Sequence, residues 1–390
     1  MEVEIISKEL VKPSSPMPAH LRTYGLSLLD SLVPAAHIPM ILFYDRPTAF
    51  STDEALRCLK RSPSQAKVDC SLYDVLVRSD AKVIRKLLPD EPSQLESSSS
   101  DGNGIHVIMV QVNVFECGGI ALGTYLSHKI IDSPTSEIRH LHDQALHLRC
   151  HCHCSNQVRS GAPSLVAHLT RIEAVSAFIW GCCIATTEAC QNGARQPSML
   201  SHMINLWSKN KSSAAALLEH VIGNLIWFMT ARSEPESERN LQSLTSALRE
   251  SLLMLNVEFF EGLAGEEGVS QVCEFLEEMS EAYGDEGADH FGFSSLFNMG
   301  VYKADFGWGK PVRFSPSGIN LPVYQNVVFL IETRRGDGIE AWVTLGDEDM
   351  AVLQHDGELL SCASVEPEPS PSSVDDRRSS LSCPARLEYE

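Results

Sequence analysis

No basic patch followed by an apolar stretch opens these 390 residues, and no uninterrupted apolar run elsewhere is long enough to span a bilayer. The sequence therefore predicts a soluble protein without a membrane partner. Positive charge is also scarce: 31 Lys and Arg stand against 51 Asp and Glu, a formal net charge of -20. Affinity for phosphate backbones comes mainly from Lys and Arg that neutralise them, which argues against nucleic acid and anionic lipid surfaces as partners. The chain has no phosphate-cradling Gly-rich loop, no dinucleotide fingerprint and no Ser elbow, which removes three common enzyme classes. Its 12 cysteines lack a small-domain disulfide spacing, and a chain this long needs no staples, so reduced thiols and a cytosolic setting follow. What is present suits a globular protein: 43% hydrophobic and 21% charged residues supply two domains' worth of core.

Patterning along the chain predicts strands alternating with helices. Residues 105–117 are rich in Val and Ile and close on Gly118-Gly119, which reads as a mostly buried strand. Thr170 precedes Glu173 by three residues and an apolar segment follows, the signature of a capping box. The helix it opens runs to about Cys190, carries Phe178 and Trp180, and packs Cys182-Cys183 as small hydrophobes. Leu241, Leu244, Leu248, Leu252 and Leu255 recur at helical spacing, and Val272, Phe275, Leu276 and Met279 repeat the pattern, giving two core-facing helices. Residues 326–332 and 339–345 form a hairpin in which Asp337-Gly338 supplies the positive φ of the turn. The Ser-rich stretch 97–103 reads as an exposed loop, and 365–390 as a disordered tail. A weakly patterned region between 156 and 168 is the natural place for a domain boundary.

Two short runs carry chemistry. In His128-Lys129-Ile130-Ile131-Asp132, just past the β-rich run, a neutral imidazole could take a proton from an attacking hydroxyl near cellular pH. Asp132 would organise the loop rather than touch substrate. Taken alone, a His and an Asp four apart favour a plain solvated loop over a catalytic one. Asp305-Phe306-Gly307-Trp308-Gly309 reads as a tight turn: its glycines allow close backbone approach around a buried ring, and Asp305 can accept hydrogen bonds from exposed amides.

These two runs occur in order with Thr170-Arg171-Ile172-Glu173-Ala174 to Trp180, with Gly223-Asn224, and with Gly338-Ile339-Glu340-Ala341-Trp342-Val343. Together they resemble the plant BAHD acyltransferases, over roughly residues 1 to 365, and most of all the branch that acetylates alkaloid and other specialised-metabolite alcohols. The resemblance implies an α/β fold of two similar mixed-sheet domains, 1–160 and 161–364, with a channel between them. It implies acyl-CoA, acetyl-CoA within that branch, as co-substrate, and an alcohol or amine of a plant specialised metabolite as acceptor. It further implies His128 as general base, Asp132 as loop organiser, and Asp305, Phe306, Gly307, Trp308 and Gly309 as a structural signature near the CoA side. It points to a cytosolic monomer with no metal requirement, and it leaves the CoA-contacting residues unassigned.

The chain also departs from that pattern. Ser133-Pro134 follows the motif aspartate where the family places glycine, which restricts the loop that aims His128. Asn205-Leu206-Trp207 stands where the family has Asn-Leu-Arg, so Asp132 lacks its arginine unless another base such as Lys209 substitutes. Around 62–70 a Tyr-Pro-Leu-Ala-Gly-Arg stretch is missing, and 137–154 is rich in His, Arg and Cys where an amphipathic helix with a Trp is usual. A catalytically inactive or truncated homologue, binding at most a ligand, is the alternative these departures raise. A second alternative comes from His140, His142, His147, Cys150, His151, Cys152, His153 and Cys154, donors able to hold zinc or copper. Without a Cys-x2-Cys loop that spacing favours adventitious binding, or a plain surface helix and loop, over a dedicated site.

Overall fold

The computed structural model describes residues 1–8, 25–32, 37–47, 64–78, 81–90, 107–129, 145–150, 169–205, 224, 226–284, 287–297, 299–306, 309–316 and 326–365. Its strands, in chain order, are β1 (Val3–Lys8), β2 (His37–Tyr44), β3 (Ser64–Val68), β4 (Ile108–Phe115), β5 (Ile120–Ser127), β6 (Ala145–Cys150), β7 (Ser198–Asn205), β8 (Ile226–Ser233), β9 (Asp289–Ser295), β10 (Arg313–Ser315), β11 (Val327–Glu332), β12 (Ile339–Thr344) and β13 (Ala363–Val365). They form a six-stranded sheet, β1-β3-β4-β5-β2-β10, and a seven-stranded sheet, β13-β6-β12-β11-β9-β7-β8. Both mix parallel and antiparallel pairs, so this is a two-sheet α/β fold. β10 returns from late in the chain to pair with β2 in the first sheet.

Alternation along β2 divides the first half into two packing layers. Ile41 and Phe43 join Val68, Phe115, Ala121 and Tyr125 beneath α2 (Leu72–Arg78) and α3 (Ala81–Arg85), after the short α1 (Leu28–Leu32). On the opposite face Met40 and Leu42 meet Phe314, Phe329, Ile331 and Trp342, which tie the first sheet to the second. β10 pairs only with Ile41 to Phe43, so Pro39 falls beyond it, where a strand tolerates a missing N–H.

The second half is built around α4 (Arg171–Cys190), followed by α5 (Leu241–Met254), α6 (Val257–Ala264), α7 (Gly268–Tyr283), α8 (Asp347–Leu353) and α9 (Gly357–Cys362). Both bonds of the expected capping box are present: Thr170 Oγ1 accepts from Glu173 N at 3.2 Å, and Glu173 Oε2 accepts from Thr170 N at 2.8 Å. Length and composition alone would let α4 cross a membrane, yet 72% of its apolar window is buried in the protein. It is the core helix, and Phe178, Trp180, Cys182 and Cys183 are all in contact with the apolar cluster under the second sheet. Trp180 is fully enclosed and donates to Ser198 Oγ at 2.9 Å. Removing about 200 Å² of indole surface from water is worth roughly 5 kcal/mol before entropy is counted.

Three details differ from the sequence reading. Leu276 on α7 is 46% exposed, because this peripheral helix packs along the narrower stripe of Val272 and Phe275. The hairpin register runs from Val327–Thr344 to Glu332–Ile339, but positive φ falls on Gly336, not Gly338. The turn is closed by Thr333, whose hydroxyl donates to Asp337 and accepts from Gly338 N. Finally, Ala145–Cys150 is a strand between β12 and β13, not a surface helix and loop. The boundary region 156–168, the loop 97–103, most of the His/Cys cluster and the tail beyond Val365 lie outside the described residues.

Candidate active site

His128 is the first residue past β5, whose last residue, Ser127, pairs with His37 of β2 and donates its N–H to Val107 O at 2.8 Å. Anchored on that side by the sheet, His128 is completely buried. A buried imidazole at a strand end is a confined base, able to take a proton only from a group that reaches it.

The other side of His128 is held from far away in the sequence. Asn224 Nδ2 donates to the His128 carbonyl at 2.8 Å and to Asp30 Oδ1 at 2.9 Å, and the Asn224 backbone N–H donates to the same Asp30 oxygen at 2.7 Å. Asp30 lies on α1, where it exchanges hydrogen bonds with Ser27: Asp30 N donates to Ser27 Oγ and Ser27 N donates to Asp30 Oδ2. Lys129 Nζ donates to the Asp30 carbonyl at 3.3 Å. Asp30 is 1% exposed and Asn224 4%. Burial raises the Asp30 pKa, while hydrogen bonds from Asn224 and Ser27 lower it, and the balance falls below the ordinary carboxylate value. A carboxylate held by several N–H donors stays ionised without a neighbouring arginine.

The second motif sits at the opposite end of β2. Tyr44 donates its hydroxyl to Ala304 O at 3.1 Å and meets the edge of Phe306, with ring centroids 6.3 Å apart. Burial and the charge of Asp305 push the Tyr44 hydroxyl pKa upward. Asp305 Oδ1 accepts from Gly309 N at 3.1 Å, closing the loop, and Gly309 has φ 110°, a conformation that favours glycine. From His37 beside the His128 end to Tyr44, seven strand steps separate the motifs by roughly 23 Å. Asp132, Gly307, Trp308, Trp207 and Lys209 lie outside the described residues. Sequence reasoning quoted Asn224 without a role and missed Asp30. The Ser27-x-x-Asp30 spacing, a helix-start signature, was the signal available for it.

The Transferase family model matches residues 1–66, 64–145 and 135–360. A limonoid 7-O-acetyltransferase of Citrus sinensis is 31% identical over 471 residues, covering 95% of this chain and all of that protein. Because that alignment is longer than the 390 residues here, the relative has segments with no counterpart in this chain. Vinorine synthase of Rauvolfia serpentina is 27% identical, covering 92% of this chain and 97% of that one. The crystal structure of vinorine synthase superposes with a TM-score of 0.72 at 24% identity over 94% of this chain and 99% of that chain, a match of fold. The fold, the ordered motifs and the extent of these matches agree: the chain belongs to the Transferase family of BAHD acyltransferases, and it is an acyl-CoA-dependent acyltransferase.

Proposed function

We propose that the chain transfers an acetyl group from acetyl-CoA to a hydroxyl, or an amine, of a plant specialised metabolite, with His128 as the general base. The observation that carries this reading is the complete burial of His128 at the end of β5, tied through Asn224 to the second half of the chain. In the reaction the imidazole takes the acceptor's O–H proton as the oxygen attacks the thioester carbon. The C–O bond forms, the oxyanion collapses, the C–S bond breaks, and the imidazolium returns the proton to the departing thiolate as free CoA. No acyl-enzyme is formed, and the reading requires no metal. Asp132 organises the loop after His128, and the Asp305 to Gly309 loop supports the fold far from the reacting atoms. Acetyl as the donor group is supported by the limonoid 7-O-acetyltransferase relative from Citrus sinensis, which directs attention to limonoid alcohols alongside alkaloid ones. The same reading makes the protein a cytosolic monomer, and the buried thiol of Cys183 suits a reducing compartment.

Calorimetric titration with acetyl-CoA and CoA tests the donor site without choosing an acceptor. Micromolar binding is the expected outcome. A following screen of limonoid and alkaloid alcohols should show turnover that falls by about 10²- to 10⁴-fold in His128→Ala, the usual worth of a general base. A folded protein that binds neither ligand would replace this reading with that of an inactive homologue.

A further inference from the structure

We propose that Asp30 and Asn224 are positioning residues that aim the His128 ring. This assignment rests on the reading of His128 as the base. An imidazole is useful only while its Cα–Cβ bond points the ring at the reacting oxygen, and that direction is set by the peptide planes on either side. Upstream the strand holds the chain one peptide earlier, between Leu126 and Ser127, where Ser127 N–H donates to Val107 O. The plane after it begins with the His128 carbonyl, whose oxygen accepts from Asn224 at 2.8 Å. Asn224 cannot swing away, because its backbone N–H and its side-chain amide grip the same carboxylate oxygen of Asp30. Asp30 is fixed in turn by its reciprocal hydrogen bonds with Ser27.

The arrangement spans three separated stretches of chain, residues 27–30, 127–129 and 224, and Asp30, Ser127, His128 and Asn224 are buried. A single ionised carboxylate therefore sets the pose of a base with which it shares no direct bond. It acts through backbone geometry, by way of the His128 carbonyl. The aim of His128 is also coupled to how the two halves of the chain sit, since Asn224 comes from the second half and Asp30 from the first.

The test uses the full chain with the variants Asn224→Ala, Asp30→Ala and Asp30→Asn and the Asn224→Ala/Asp30→Ala double variant. Two readouts are taken: steady-state kinetics with acetyl-CoA, and the imidazole NMR signal of His128, identified by its loss in His128→Ala. The expected result is a fall in kcat of about 10- to 100-fold in each Ala variant, the scale of a misplaced reacting group. The KM for acetyl-CoA should stay within about twofold, because donor binding is not what is lost. The double variant should be no worse than the worse single one, since both break the same connection. Asp30→Asn, which keeps an acceptor oxygen, should recover part of the loss, and the His128 signal should shift or broaden in each Ala variant. If the wild-type protein acylates no acceptor, the functional reading fails, while the NMR signal still tests the positioning. An unchanged His128 signal in folded variants, additive losses, or a loss confined to KM would overturn the assignment. So would failure of all the variants to fold, which would make the network a structural prop.

Discussion

At His202, on β7, burial and one hydrogen bond decide a protonation state. Nδ1 donates to Met203 O at 2.9 Å and the ring lies against Phe293, which leaves Nε2 without a donor among the described residues. Burial lowers its pKa to about 4, against the smaller upward pulls of the Met203 hydrogen bond and the Glu173 charge. The unfolded chain takes up this proton near pH 6.5 and the folded one only near 4, so stability is full above pH 6.5 and falls as the pH drops through that window. The loss amounts to about 3 kcal/mol by pH 4. Thermal melts at pH 7 and pH 5 should show a larger drop for the wild type than for His202→Gln, and parallel behaviour of the two proteins would remove His202 from the account. Asp30 is shifted in the same direction, so its contribution too is lost only as the pH falls. Its lowered pKa keeps it charged until the pH falls below the ordinary carboxylate range, so the connection to His128 should survive mild acid.

At the level of elements, two contacts carry measurable consequences. On β5, a Cβ built at Gly123 would meet Leu87 O at 2.0 Å. The backbone after α3 cannot retreat, because Leu87 O also accepts from Asn113 Nδ2 at 2.7 Å and Lys86 O accepts from Gln111 Nε2 at 3.2 Å. Gly123→Ala should therefore lower stability by about 1–3 kcal/mol, the cost of overpacking, read as an earlier urea midpoint. A neutral result would mean that the backbone after α3 yields. At the start of α4, Thr170→Ala removes one bond of the capping box and should cost about 1 kcal/mol. Glu173 has a second duty there, accepting from Arg249 Nη1 at 2.6 Å. Glu173→Ala should therefore be the more harmful of the two changes, and reversing that order in denaturation curves would contradict the structure.

Across the whole molecule, the sheets exchange strands and polar contacts. β10 extends the first sheet from late in the chain, Met40 and Leu42 pack on Trp342 and Phe329, and Asn224 reaches Asp30. The halves should consequently unfold together. All five tryptophans lie in the second half, so their fluorescence follows that half, whereas far-UV circular dichroism follows both. The two denaturation curves should coincide, and a fluorescence transition at a separate midpoint would show that the halves are independent.

Local rules reach a certain distance in this chain and then stop. Thr170 and Glu173 lie three residues apart, so their capping box could be read before any fold was known. The strand before Gly118-Gly119, the burial of Cys182 and Cys183, and the ordered motifs that mark the family were likewise determined by neighbours in the sequence, and the two-sheet architecture followed from the family. Which glycine turns the β11–β12 hairpin was decided by the Thr333 hydroxyl, because a side chain that both donates and accepts can outweigh a dipeptide preference. The partnership of Asp30 with Asn224, 194 residues away, was decided only by the tertiary structure. Burial removes water as the competing partner, so such polar groups must find one another wherever the packing brings them together, at separations that no sequence period encodes.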